Sequence, residues 1–162
     1  RITIKDSGDH SGAAAHLHRG VPVLAEGPFG HFTTDARRLD PVLLISGGSG
    51  IAPVRALAEQ LLRERADVVL VHRASSWQDV PLRGELDAMG HAGLVVHYLI
   101  GSRADLRGDP LTAGSLYRLV PDVRLRSVYV CGPDGMTTTV LASLRRLGVP
   151  ARNVHTEEFS LR

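Results

Sequence analysis

The chain has 162 residues, 43% hydrophobic and 22% charged, with a net charge of only +2. Such a composition excludes a disordered or low-complexity segment, and the charge is too small and too scattered for nucleic-acid binding. A single cysteine, Cys131, excludes an internal disulfide framework and any multi-cysteine metal centre. No apolar run approaches the roughly 20 residues that span a bilayer. The basic side uses one lysine, Lys5, and otherwise only arginine, so anion recognition falls to Arg forks or backbone amides. The sequence starts at Arg1, without an initiator Met, which is expected of a piece of a longer protein.

In chain order, Arg1 to Lys5 alternates like a half-buried strand, Ala13 to His18 has the length of a short helix, and Val21 to Glu26 reads as a second short strand. The pattern then changes. Pro41 to Ser46 is a continuous apolar run, as expected of a strand buried on both faces. It leads into Gly47-Gly48-Ser49-Gly50 and then a helix over 52–65, with Val54, Leu57, Leu61 and Leu62 at helical spacing. Pro53 fits in that helix's first turn, where its missing N–H costs nothing. Strands follow at 67–72, 94–100, 127–131 and 153–159, and helices at 82–89, 112–119 and 136–147. Alternation of this kind predicts an α/β fold, a doubly wound parallel five-stranded sheet covered on both faces. The domain boundary is placed near residue 38, giving a short β-rich head, 1–38, and an α/β domain, 39–162.

Three motifs carry chemistry. Strand–GGSG–helix is a phosphate-binding arrangement: the glycines allow close backbone approach and the helix N-terminus offers free N–H groups. It lacks the Gly-Lys-Ser/Thr of a Walker loop, and Pro53 replaces the third glycine of the usual dinucleotide fingerprint. By itself such a turn is about as often a plain connection. Cys131-Gly132-Pro133 ends a strand where ligands of open sheets gather, although a free cysteine is more often core. Glu26 to Phe32 (EGPFGHF) is, alone, a turn with two aromatics. His10, His16 and His18 cluster without the Cys or carboxylate that would complete a metal set, so no metal is expected.

Taken together, EGPFGHF, GGSGIAPVRAL, VYVCGPDGM and the tail HTEEF resemble the ferredoxin–NADP reductase superfamily, and the flavin oxidoreductase and ferric-reductase-like modules within it. The resemblance implies that residues 1–38 are the end of an antiparallel FAD-binding β-barrel and that 39–162 bind NAD(P)H. It implies flavin pyrophosphate contacts at Gly8, His10 and Ser11, and a nucleotide pyrophosphate loop at Gly48, Ser49 and Gly50. Cys131, Gly132 and Pro133 are the implied nicotinamide-side loop, supported by Met136. Glu157 and Phe159 are the implied acidic and aromatic groups near the flavin. Ser102 and Arg103, with Arg73 as helper, resemble a 2′-phosphate site, and no acid follows the second strand until Asp79, so NADPH is expected over NADH. The activity implied is hydride transfer from NAD(P)H to FAD with onward transfer to a haem, iron–sulfur or ferric acceptor. A longer parent would run it, in the cytoplasm or at the cytoplasmic face of a membrane. The competing expectation is a non-catalytic nucleotide-binding module that uses the same fold as a scaffold.

Overall fold

A run of six buried residues sets the centre of the sheet. β1 (Val42–Gly47) is buried at every position, because parallel neighbours flank it on both sides and helices cover both faces. A computed structural model describes residues 4, 8–24, 30–106 and 108–157. They divide into two compact units, residues 1–31 and 32–162.

The second unit is a five-stranded, all-parallel sheet in the order β3-β2-β1-β4-β5, formed by β2 (Val68–Ala74), β3 (Val95–Ile100), β4 (Ser127–Cys131) and β5 (Val154–Glu157) around β1. Alternate side chains face opposite layers. Val42, Leu44, Val68, Leu70 and Tyr129 meet Val54, Leu57 and Leu61 of α2 (Ile51–Arg63) and Leu86 of α3 (Arg83–Gly90). Leu43, Ile45, Val128 and Val130 meet Leu116 of α4 (Ala113–Leu119) and Val140 and Leu144 of α5 (Asp134–Arg146). Each fully buried Val or Leu contributes about 2 kcal/mol over its exposed state.

Residues 32–40 are tied to this unit. Phe32 packs edge-on against Tyr129, with centroids 5.3 Å apart, and the Tyr129 hydroxyl donates to the Thr33 carbonyl at 2.8 Å. The Arg38 and Leu39 amides donate to the Ser127 hydroxyl, at 3.1 and 2.8 Å. At the amino ends of the strands, the buried Arg126 guanidinium bonds the Val42 carbonyl and pairs with Asp67 and Asp122.

The first unit holds a five-residue helix, α1 (Asp9–Ala13), followed by a 3-10 turn, Ala14–His16. The strand expected over Val21 to Glu26 is not seen at Val21 to Leu24, which are exposed and join no sheet, because no described strand lies beside them to share hydrogen bonds. Residues 25–29, 107 and 158–162, and most of the Arg1–Lys5 strand expectation, lie outside the described residues. Among the described residues no helix is long and apolar enough to cross a membrane.

Candidate functional site

The strand order reverses between β1 and β4: the chain goes from β1 outward to β2 and β3, then crosses back to β4 and β5. A crevice opens outside the carboxyl ends of the two strands at such a switch point, and ligands of open α/β sheets bind there. β1 runs there into a 3-10 turn, Gly48–Gly50, and then α2. β4 runs into Gly132-Pro133 and then α5. Both helices are 13 residues long, and neither has a side chain capping its N-terminus. The Ile51 amide is taken by the Gly48 carbonyl and the Met136 and Thr137 amides by that of Pro133, and Pro53 has no N–H, so what these ends offer an anion is chiefly the positive end of each helix dipole and the amides of the glycine turn.

Close packing explains the glycines. A Cβ on Gly50 would lie 2.1 Å from the Cys131 carbonyl oxygen and 2.9 Å from the Gly132 nitrogen, so the two loops abut backbone to backbone. A Cβ on Gly47 or Gly132 would collide with the Met136 thioether, at 2.5 and 2.4 Å. Met136 thus fills the space beneath both strand ends and supports them. Gly48 differs: its φ of +54° is the left-handed region, and nothing lies within 4 Å of where its Cβ would be. Gly48 and Ser49 are exposed, whereas Gly50 is buried. The turn offers an open glycine face beside uncapped amides, which fits the pyrophosphate of a dinucleotide.

Cys131 is fully buried in the core layer under α2, and its carbonyl, not its thiol, meets the glycine turn. Burial, with a further contribution from the Glu157 carboxylate, pushes the thiol up to about 12, so it stays protonated. Glu157 stands in register with Cys131 at the end of β5. Phe159 lies outside the described residues. On the same rung, Ser46 of β1 is in register with both Cys131 and His72, and its hydroxyl is 2.8 Å from His72 Nδ1. Burial lowers His72 to about 4, so the ring is neutral. This pair and Gly47 were not among the expected site residues; the doubled Gly47-Gly48 was the signal for the latter.

The remaining expected residues are spread apart. Ser102 and Arg103 follow β3, where Arg103 pairs with Asp109 at 3.1 Å and the Ser102 amide donates to Asp105 at 2.6 Å. Arg73 turns its guanidinium onto the carbonyls of Ala74, Leu99 and Gly101, tying β2 to β3. Trp77 is half-exposed, edge-on to Tyr98 at 5.5 Å and under Arg83 at 4.4 Å. In the first unit Gly8 precedes α1, the Ser11 hydroxyl donates to the Gly8 carbonyl at 2.9 Å, and His10 lies within the helix.

Residues 44–141 match the family model of the oxidoreductase NAD-binding domain. The chain is 27% identical over 164 residues to flavohemoprotein A of Dictyostelium discoideum, covering 96% of this chain and 41% of that protein. It is 30% identical over 163 residues to ferredoxin–NADP reductase B of Sorangium cellulosum, covering 89% of this chain and 66% of that one. The chain therefore spans about two fifths to two thirds of these relatives. A crystal structure of a ferredoxin NADP+ reductase from Neisseria gonorrhoeae, with bound FAD and NADP, shares the fold at a TM-score of 0.73 and 21% identity, over 96% of this chain and 71% of that one. The glycine turn and the cysteine loop at one switch point, the family match across both and the shared fold lead to one conclusion: this chain belongs to the oxidoreductase NAD-binding domain family, within the ferredoxin–NADP reductase superfamily.

Proposed function

We propose that the chain is the NAD(P)H-binding module of a flavin-dependent oxidoreductase that passes electrons to a haem, iron–sulfur or ferric acceptor. The observation that carries this reading is the contact of the Gly48–Gly50 turn with the Cys131-Gly132 backbone at the β1/β4 switch point. That contact makes one continuous floor for an extended dinucleotide, with the pyrophosphate on the α2 side and the nicotinamide half on the β4 side. The names of the relatives, a flavohemoprotein and a ferredoxin–NADP reductase, support an electron-transfer role.

When bound, the nicotinamide supplies a hydride and FAD accepts it; the cofactors carry the chemistry. The chain's own task is to bind and orient. The amides of the glycine turn, with the positive end of the α2 dipole behind them, would hold the pyrophosphate. The Cys131-Gly132-Pro133 loop, braced by Met136, forms the wall at the nicotinamide end. Cys131, protonated and buried, shapes that wall and is no nucleophile. Such alignment is a positioning effect and needs no general acid or base. For FAD the described residues of the first unit supply one five-residue helix and no strand, so no step is assigned to them. On this reading residues 1–38 are the last part of a flavin barrel in a longer parent, and Phe159 and Glu157 lie at the flavin end. The proposed location is the cytoplasm, free or against the cytoplasmic face of a membrane.

The test is calorimetric titration of the chain with NADH and NADPH, alongside hydride transfer to added FAD followed as loss of reduced-nicotinamide absorbance in the parent. Binding of at least one nucleotide with transfer in the parent is expected. Binding without transfer would favour the non-catalytic module, and no binding of either nucleotide would refute the site.

A further inference from the structure

β2 and β3 lie on the opposite side of β1 from β4 and β5, so the loops at their carboxyl ends face the adenosine half of a dinucleotide seated at the switch point. NADH and NADPH differ there, by one phosphate on the ribose 2′-oxygen. A 2′-phosphate calls for free cationic donors, whereas a 2′-hydroxyl calls for an acceptor such as a carboxylate.

Three described cations at these ends, Arg73, Arg103 and Arg83, are engaged elsewhere. Arg73 donates to three backbone carbonyls between β2 and β3. Arg103 pairs with Asp109 at 3.1 Å, and Arg83 lies over Trp77 and pairs with Asp87 at 3.4 Å. Ser102 is tied on both sides to Asp105: its amide donates to that carboxylate at 2.6 Å, and its hydroxyl accepts from the Asp105 amide at 3.2 Å. The two residues that resemble a phosphate site in sequence are thus each bound to a carboxylate of their own loop.

Acceptors, in contrast, are present. The 3-10 turn Trp77–Asp79 folds the chain back, and the Ser76 hydroxyl donates to the Asp79 carboxylate at 2.8 Å. An acid that stands five residues past the strand in sequence is therefore held beside a residue only two past its end. Asp105 is exposed, and its hydrogen bonds from Ser102 hold its carboxyl below the usual range, so it remains charged.

We propose that this module selects NADH over NADPH, with the Asp79 carboxylate accepting from the ribose 2′-hydroxyl and the Asp105 carboxylate repelling a 2′-phosphate. The inference rests on the dinucleotide reading above and reverses the preference that Ser102, Arg103 and Arg73 suggest in sequence.

The experiment is calorimetric titration of the 162-residue chain with NADH and with NADPH, for the native sequence and for Asp105→Ser, Asp79→Ala and Arg118→Ser, each checked for native circular dichroism. Arg118 is included because it lines an open pocket of about 470 Å³ under the same loop and hydrogen-bonds only Ser115 among the contacts described for it. NADH is expected to bind about tenfold tighter than NADPH or more, since hydrogen bonds to charged groups carry most of such discrimination. Asp105→Ser should tighten NADPH by about threefold, the size of an exposed charge effect, and leave NADH within about twofold. Asp79→Ala should weaken NADH by about fivefold or more and NADPH little. Equal or tighter binding of NADPH by the native chain, or NADPH affinity indifferent to Asp105→Ser, would overturn the selectivity. So would an NADPH preference abolished by Arg118→Ser, which would move the 2′-phosphate into the pocket on α4. Binding of neither nucleotide would overturn the dinucleotide reading itself, a result distinct from all of these.

Discussion

Replacing Gly50 with alanine puts the contact between the two loops to a direct test. The backbone there is ordinary right-handed helix, φ −60° and ψ −10°, so alanine is welcome on conformational grounds. The whole penalty comes from crowding. The new methyl would stand 2.1 Å from the Cys131 oxygen and 2.5 Å from its carbonyl carbon, where ordinary contact begins at 3.4 Å. Relief requires a separation of more than 1 Å between the start of α2 and the end of β4, and both colliding partners are backbone. Overpacking of this kind costs about 1–3 kcal/mol, and a rigid partner puts Gly50→Ala near the upper end. For a chain of this length about 3 kcal/mol is a fall of roughly 6–12 °C in Tm. Gly48→Ala is the companion variant. Its methyl meets nothing, so its stability cost is the left-handed backbone alone, about 1 kcal/mol. That methyl would nevertheless occupy the open face where the pyrophosphate rests. Both variants should lose about tenfold or more in nucleotide affinity, which is 1.4 kcal/mol, while only Gly50→Ala melts much earlier. Differential scanning calorimetry and titration calorimetry read the two effects separately. If Gly50→Ala melts within about 2 °C of the native chain, the argument that the loops abut is wrong.

Three other expectations follow from the same geometry. The Cys131 thiol, pushed up from its ordinary value of 9.0 to about 12 by burial and Glu157, should resist maleimide in the folded chain and react on unfolding; its contribution to stability is complete below about 9 and declines as pH rises toward about 12. His72, lowered from 6.5 to about 4 by burial, should stay neutral in imidazole NMR until the pH falls well below 6.5, and the stability tied to its neutral form should be lost between those two values as pH falls; titration near 6.5 would mean the ring is solvated. Arg126→Ala should cost about 2–3 kcal/mol in denaturant unfolding, because it strips a donor from the buried Val42 carbonyl while Asp67 and Asp122, 59% and 44% exposed, regain water. The Arg126 hydrogen bond also holds Asp122 below its ordinary value, which stabilises the fold above that value and is lost as pH falls, so the variant should show a flatter acid limb.

The α/β unit was readable because its strands are buried on both faces. PVLLIS, DVVLVH and SVYVC are apolar runs that suit a strand covered on both faces, and every expected strand and helix from residue 41 onward is present, within two residues of each expected end that falls among the described residues. The glycine and cysteine loops were readable for a related reason: close backbone packing leaves few alternatives to glycine. Other features depend on where loops fold back, which residue type does not reveal. Arg73 has the look of a surface cation, yet it binds three carbonyls. Asp79 is distant from β2 along the chain, but a 3-10 turn returns it. His72 interrupts an apolar strand with a polar side chain, and only the parallel register with Ser46 supplies its partner. At Val21 to Leu24 a strand-like composition is a property of the segment, whereas a strand is a property of the segment and its neighbours, and no described strand lies there.

The central claim is that a reduced dinucleotide lies across the carboxyl ends of β1 and β4. Amide NMR of the chain titrated with NADH measures this directly. Saturable shifts should concentrate at residues 47–52 and 131–136, continue to the turns after β2 and β3, and leave the amino ends of the strands around Arg126 unmoved. Shifts confined to other surfaces, or none at saturating NADH and NADPH, would contradict the account.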